Sequence, residues 1–209
     1  VFNDRGAFEL QKAVDALPTK PAVVDGGQVT GRKEGDNPHL WYSPEAVGQM
    51  STAITSELTT LAPSASAYFA ARAQGWQAQL APYEQAVQQA KAAAGGKAYG
   101  ATESVFDDMA TAVGLRNVTP EGFQQAAANE SEPAPGDVND FEQALRSKRM
   151  DVLVYNVQTE GAVPEQIRGV AESSGVPVVE VTETLPPGQS SFVAWQVAQL
   201  RALVQALGG

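Results

Sequence analysis

Apolar residues recur at helical spacing along the first half of the chain and in short unbroken runs along the second. A helix is predicted from Ala7 to Leu17, ended by Pro18, and Pro21-Ala-Val-Val-Asp25 is predicted as a short buried strand. The polar, Gly-rich segment from Gly26 to Asn37 has turn composition and no apolar period, which predicts a surface loop. Its glycines do not make a phosphate loop, because Arg32 follows Gly31 where such a loop needs Lys, and no helix follows to hold the phosphate. Ser43-Pro44-Glu45 is a helix start: a capping hydroxyl, Pro at the first helical position and an early carboxylate facing the dipole. Val47, Met50, Ile54, Leu58 and Leu61 then fall on one helical face that ends at Pro63.

A second helix is predicted from Ser64 to Ala94. Its stripe of Phe69, Trp76, Leu80, Tyr83 and Val87 stays in phase across Pro82, which points to one long kinked helix of ~46 Å ended by Gly95-Gly96. Such a helix serves either as a strut between two lobes or as the long edge helix of a single domain. Beyond it strands and helices alternate. Strands are predicted at Lys97 to Thr102, Asp151 to Tyr155 and Val176 to Val181. Helices are predicted at Ser104 to Val113, at Asp137 to Ser147 with Asp137 as cap, and at Val163 to Ser173. Ala128 to Gly136 reads as a loop rich in Pro and carboxylate, and a closing helix carries Val193, Val197, Leu200, Val204 and Leu207. Continuous apolar strands separated by helices imply a parallel α/β sheet. The organisation predicted is a first section over 1–63, a long helix over 64–94 and an α/β lobe over 95–209.

Composition narrows the partners. Fourteen Lys and Arg stand against 24 Asp and Glu, a formal charge of −10. With the basic residues scattered, that field disfavours nucleic acid and anionic lipid and leaves cationic or neutral ligands open. The chain has no cysteine, which removes disulfides and thiolate metal sites, and a single histidine. No apolar run approaches the roughly 20 residues that span a bilayer. The opening Val1-Phe2-Asn3-Asp4-Arg5 is no signal peptide and reads as mid-domain, so an upstream segment carrying any leader or lipid anchor is expected.

In an open parallel sheet, ligands bind beyond the carboxyl ends of the strands. The residues there are Glu103; Asn156 and Gln158; and Thr182, Glu183 and Thr184. Two carboxylates therefore share a rim. His39, in Asn37-Pro-His-Leu-Trp41 just before a helix, adds one imidazole, and the three together are a set able to hold a divalent cation. Each also has a plainer role: His39 packed beside Trp41 and Tyr42, Glu103 capping the helix that follows, and Glu183 solvated beside Pro186-Pro187. Asn117-Val-Thr and Asn129-Glu-Ser match the glycosylation triplet by pattern alone.

The segment Asn37-Pro-His-Leu-Trp-Tyr-Ser-Pro44 resembles the Asp-Pro-His-Val-Trp-Leu-Ser-Pro signature of the metal-binding solute receptors of bacterial ABC transporters. Further motifs follow in the family's order over nearly the whole chain. A long helix comes next, Ala101-Thr-Glu-Ser-Val-Phe106 is similar to the family's third-ligand segment, and Asn129-Glu-Ser-Glu-Pro133 to its acidic-Pro loop. Val181-Thr-Glu-Thr-Leu185 lies where the family places its last carboxylate. The resemblance implies an α/β fold of two lobes, with parallel sheets flanked by helices and one long rigid connecting helix. It implies His39, Glu103 and Glu183 as metal ligands. The family also supplies a further His from an N-terminal segment, which this chain with its one His lacks, so the N-terminal lobe is expected to be incomplete. Glu at the third position matches manganese-type members, whereas zinc-preferring members often carry His there. Carboxylate oxygens suit Mn²⁺, yet the Irving–Williams order makes Zn²⁺ a competitor at any N/O site.

The function implied is an extracytoplasmic, non-enzymatic receptor that captures Mn²⁺ or Zn²⁺ and hands it to an ABC permease, working as a monomer and meeting the membrane only through an anchor or that permease. Two other classes stay open. One is a hydrolase using Glu103 and Glu183 as acid and base, with or without metal, and the other is a surface adhesion module on the same scaffold.

Overall fold

The computed structural model describes residues 12–33, 35–129, 131–159 and 161–209. The chain divides into two compact units, one running to Leu80 and one from Ala81 to Gly209.

In the first unit, residues 12–15 are helical, and the earlier part of the helix expected from Ala7 lies outside the described residues. The strand expected at Pro21 to Asp25 does not form: the segment joins no ladder, and Val23 is 54% exposed. An apolar run becomes a strand only with a ladder partner, and every strand among the described residues lies in the second unit. Asp25 instead caps helix α1 (Gly26–Thr30), accepting the Gln28 N–H at 2.7 Å, and Gly31 closes it in the left-handed region at φ 72°. The Gly26 to Asn37 segment is therefore not all loop. Its short helix is held by caps and by Thr30 Oγ1 donating to the Gly26 carbonyl at 2.7 Å, with no apolar stripe to announce it. A Cβ at Gly26 would meet Leu40 Cδ1 at 2.9 Å, so the Leu40 side chain would have to shift to admit one.

Helix α2 (Pro44–Leu61) starts as its sequence predicts, with Ser43 Oγ accepting the Ala46 N–H at 3.2 Å and Pro44 in the first turn. Its apolar stripe is less covered than the spacing implies. Ile54, Leu58 and Leu61 are exposed, while Thr52, Thr55, Thr59 and Thr60 return their hydroxyls to carbonyls four residues back.

One 3₁₀ turn, Pro63–Ala65, leads into α3 (Ser66–Ala94). This 29-residue helix runs ~43 Å through Pro82, although Pro82 has no N–H to offer the carbonyl of Ala78. The division between the units falls inside it. From Leu80 onward one face is buried: Leu80, Tyr83, Ala86, Val87, Ala90 and Ala94. Burial alone pushes the Tyr83 hydroxyl far above the usual phenol range.

The second unit is a parallel α/β layer structure. Its strands are β1 (Ala98–Ala101), β2 (Arg116–Asn117), β3 (Val152–Asn156) and β4 (Val178–Val181), in the spatial order β2-β1-β3-β4, all parallel. Ala101 stands opposite Val154, and Asn156 opposite Val181. After β1 a 3₁₀ turn, Ser104–Phe106, precedes α4 (Asp107–Val113), where a single helix was expected. Strand β2 and α5 (Glu121–Ala128) were not anticipated, because two residues of strand and two buried apolar positions, Phe123 and Ala126, give no readable period. Helix α6 (Pro135–Arg146) begins at Pro135, so Asp137 lies in its first turn and is not its cap. Helices α7 (Ala162–Ser174) and α8 (Phe192–Ala206) complete the unit.

All five residues of β3 are buried, as the unbroken Val-Leu-Val-Tyr run requires. Against the sheet, Phe123, Phe141, Leu145, Met150, Leu153 and Ile167 form one core, with the Phe123 and Phe141 rings edge to face at 4.8 Å. Gly100 is the close approach within it. A Cβ there would stand 2.6 Å from Met150 Sδ and 2.8 Å from Phe141 Cε2.

Candidate metal centre

Strand β1 is central in the sheet: the chain leaves it for β2 on one side and β3 takes its other side. The connections after β1 and β3 thus part in opposite directions, which opens a crevice beyond their carboxyl ends. Three loops meet there, each fixed by the strand it leaves. Thr102 donates its N–H to the Val154 carbonyl at 3.1 Å and accepts the Asn156 N–H on Oγ1 at 3.3 Å. On the β4 side, Gln199 Oε1 of α8 accepts the Thr182 N–H at 3.0 Å. Gln158 grips Thr184 twice, its Oε1 accepting the Thr184 N–H at 3.0 Å and its Nε2 donating to Thr184 Oγ1 at 2.7 Å.

At the centre is Asn156, 1% exposed. Its Oδ1 accepts the Gln158 N–H at 3.0 Å, which fixes the amide's orientation. Its Nδ2 donates to Glu103 Oε2 at 2.7 Å and to Glu183 Oε1 at 2.9 Å. The two rim carboxylates expected from the sequence are therefore brought together on the two hydrogens of one amide. Glu103 precedes the 3₁₀ turn with φ −153° and ψ 169° but makes no capping hydrogen bond, so the plainer role foreseen for it is not the one it plays. Glu183 is half-buried. Beneath the β1 rim, the Tyr99 hydroxyl donates to Asp107 Oδ1 at 2.8 Å. Burial, more than neighbouring Asp108, raises the Asp107 carboxyl above the ordinary range, while the Tyr99 bond holds it back.

In the first unit His39 opens a 3₁₀ turn, Leu40–Tyr42, and its ring meets Trp41 edge-on at 5.4 Å. Both its backbone N–H, at 3.0 Å, and its ring Nδ1, at 2.7 Å, reach Asn37 Oδ1. A backbone N–H can only donate, so the Asn37 atom is the oxygen and Nδ1 must donate to it as well. In a neutral ring this bond would set the tautomer, with the lone pair on Nε2, and it fixes the ring's orientation.

Within neither unit do three His, Asp or Glu side chains among the described residues group closely enough to hold a metal. The structure unites Glu103 with Glu183, and His39 belongs to the other unit. The donor chemistry, one imidazole nitrogen and two carboxylates, fits a divalent transition metal. Sequence reasoning placed Asn156 on the rim but missed its bridging role, because an amide's two donors become informative only when both acceptors are located. A second depression, of about 680 Å³, lies along β4 and α8. Its lining includes Arg168, paired with Glu172 at 2.9 Å and Glu180 at 2.8 Å, and a fixed guanidinium opposes cation binding.

A family model described as zinc-uptake complex component A, periplasmic, matches residues 2–206. The chain belongs to that family. The resemblance carried by Asn37 to Pro44 is thereby borne out, and the family is one of extracytoplasmic metal-binding receptors of ABC transporters. None of the curated proteins compared with it matches. Among solved structures, the periplasmic zinc binding protein TroA of Treponema pallidum is similar at TM-score 0.74 and 18% identity, over 98% of this chain and 78% of that one. FpvC of Pseudomonas aeruginosa in complex with Mn²⁺ is similar at TM-score 0.63 and 18% identity, over 82% and 63%. The laminin-binding protein Lbp of Streptococcus pyogenes is similar at TM-score 0.64 and 20% identity, over 82% and 65%. At these identities the likeness is one of fold. The parallel sheet flanked by helices, with a long helix before it, agrees with the α/β class expected.

Proposed function

We propose that the protein captures one divalent transition-metal cation outside the cytoplasm and delivers it to an ABC permease, with His39, Glu103 and Glu183 as ligands. The observation that carries this reading is the convergence of Glu103 and Glu183 on the Asn156 amide at the β1/β3 switch point. Family membership supports it, and so does the bond between His39 Nδ1 and Asn37 Oδ1, which orients the ring.

Two carboxylates and one imidazole make an oxygen-rich set. Such a set suits Mn²⁺, and Zn²⁺ competes because it binds N/O sites more tightly. The structural neighbours span that range, with TroA named for zinc and FpvC seen with Mn²⁺ and with Ni²⁺. We favour manganese as the cargo, with zinc as the strongest competitor. No helix among the described residues is long and apolar enough to cross a membrane. In this reading the protein meets the bilayer through the permease or an anchor.

Calorimetry with Mn²⁺ and Zn²⁺ tests the reading. One ion per chain is expected, with at least a tenfold loss of affinity in His39→Ala and in Glu183→Gln. Unchanged binding in both variants would refute the ligand assignment, and turnover of model esters abolished by Glu103→Gln would replace the receptor with an enzyme.

A further inference from the structure

We infer that Asn156 is a positioning residue that makes Glu103 and Glu183 bind the cation through one oxygen each. The inference deepens the metal-receptor reading and rests on it.

Two carboxylates brought side by side repel, and without a shared partner they would turn apart. Asn156 supplies that partner. It is the last residue of β3, paired in register with Val181 of β4, and Thr102 Oγ1 accepts its backbone N–H from the β1 side. Its backbone is thus held from both neighbouring strands, and the Gln158 N–H on Oδ1 stops the amide from flipping. With the side chain 1% exposed, no competing water reaches it readily. Its two N–H vectors then have fixed directions, and each is taken by one carboxylate oxygen, Glu103 Oε2 at 2.7 Å and Glu183 Oε1 at 2.9 Å.

An oxygen drawn onto a short amide bond is a poorer metal donor and faces the sheet end. A cation would therefore take one oxygen from each side chain. Monodentate carboxylates keep the coordination number low, which admits small transition-metal ions such as Mn²⁺, Co²⁺ and Zn²⁺. It disfavours Ca²⁺, which needs six to eight oxygens and commonly takes carboxylates through both. An amide does this without adding charge. A third carboxylate at the same place would repel the other two and become a ligand itself.

The test uses the whole chain, with Co²⁺ as a spectroscopic probe and Ca²⁺ as the competitor. In Asn156→Ala, Co²⁺ affinity is expected to fall about 10- to 100-fold, as for loss of a residue that orients ligands. The visible Co²⁺ bands should weaken as a released carboxylate swings to bind through both oxygens, and Ca²⁺ should compete better than it does with the wild type. If Asn156→Ala does not fold, Asn156→Ser, which keeps one hydroxyl donor, should show the same changes in direction. A Co²⁺ spectrum identical to wild type in a folded variant overturns the inference, whatever the affinity does. Failure of the wild type to bind Co²⁺, Mn²⁺ or Zn²⁺ would instead remove the receptor reading on which it stands.

Discussion

Asn37→Ala isolates the interaction that orients His39, the proposed imidazole ligand. The substitution removes one acceptor oxygen and with it two hydrogen bonds, from the His39 N–H at 3.0 Å and from Nδ1 at 2.7 Å. Each such bond contributes about 1 kcal/mol net, so the local loss of stability is about 2 kcal/mol at most. The larger consequence is for the ring. Without its acceptor, Nδ1 no longer fixes the proton, and the tautomer with its lone pair on Nε2 loses its advantage. Loss of such an orienting partner lowers metal affinity about 10- to 100-fold, or about 1.4 to 2.8 kcal/mol. Asn37→Asp should preserve the geometry, strengthen the ring as a donor and bind at least as tightly as wild type. The chain has one histidine, so a long-range ¹⁵N–¹H spectrum reports this imidazole alone, and calorimetry supplies the affinity. The reasoning fails if the metal-free wild type shows the Nε2–H tautomer, or if folded Asn37→Ala binds metal as tightly as wild type.

Two further outcomes follow from the second unit. Gly100→Ala should cost about 1–3 kcal/mol in urea unfolding, because the new methyl would sit 2.6 Å from Met150 Sδ and 2.8 Å from Phe141, itself fully buried. In Met150→Ala, which opens space on one side, the same change should cost less, and equal costs in both backgrounds would mean that the clash is not the cause. Asp107 has a carboxyl raised in the folded state chiefly by burial, so the folded protein holds its proton to higher pH than the unfolded chain. Its contribution to stability is therefore fully present below the ordinary aspartate range and is lost as pH rises through the raised value. Asp107→Asn should flatten the stability–pH curve in that window, and an unaltered curve would place the pH dependence elsewhere.

Much of the second unit was legible because its signals are redundant. Strand β3 is an unbroken apolar run and is buried throughout, and the closing stripe buries Val197, Leu200 and Leu207 while Val193 and Val204 are half-buried. The start of α2 was legible for a different reason, since Ser43-Pro44-Glu45 encodes the cap directly. The failures share a cause. Pro21 to Asp25 has strand composition but no pairing partner among the described residues, α1 is held by its caps, and β2 is too short for a period. Within the candidate site, Glu103 and Glu183 could be placed from the rule about strand ends. The amide that joins them depends on β1, β3 and β4 being adjacent, which local spacing does not encode.

The uncovered stripe of α2 bears on how the chain behaves in bulk solution. Ile54, Leu58 and Leu61 lie along one helical face at 44%, 40% and 61% exposure, and neighbouring threonines spend their hydroxyls on the helix's own backbone. Such a strip is sticky toward copies of itself, and mutual repulsion from a net charge of −10 keeps those copies apart near neutral pH. That protection is colloidal: it fades as salt shortens the reach of the charge and vanishes near the isoelectric point of about 4.5.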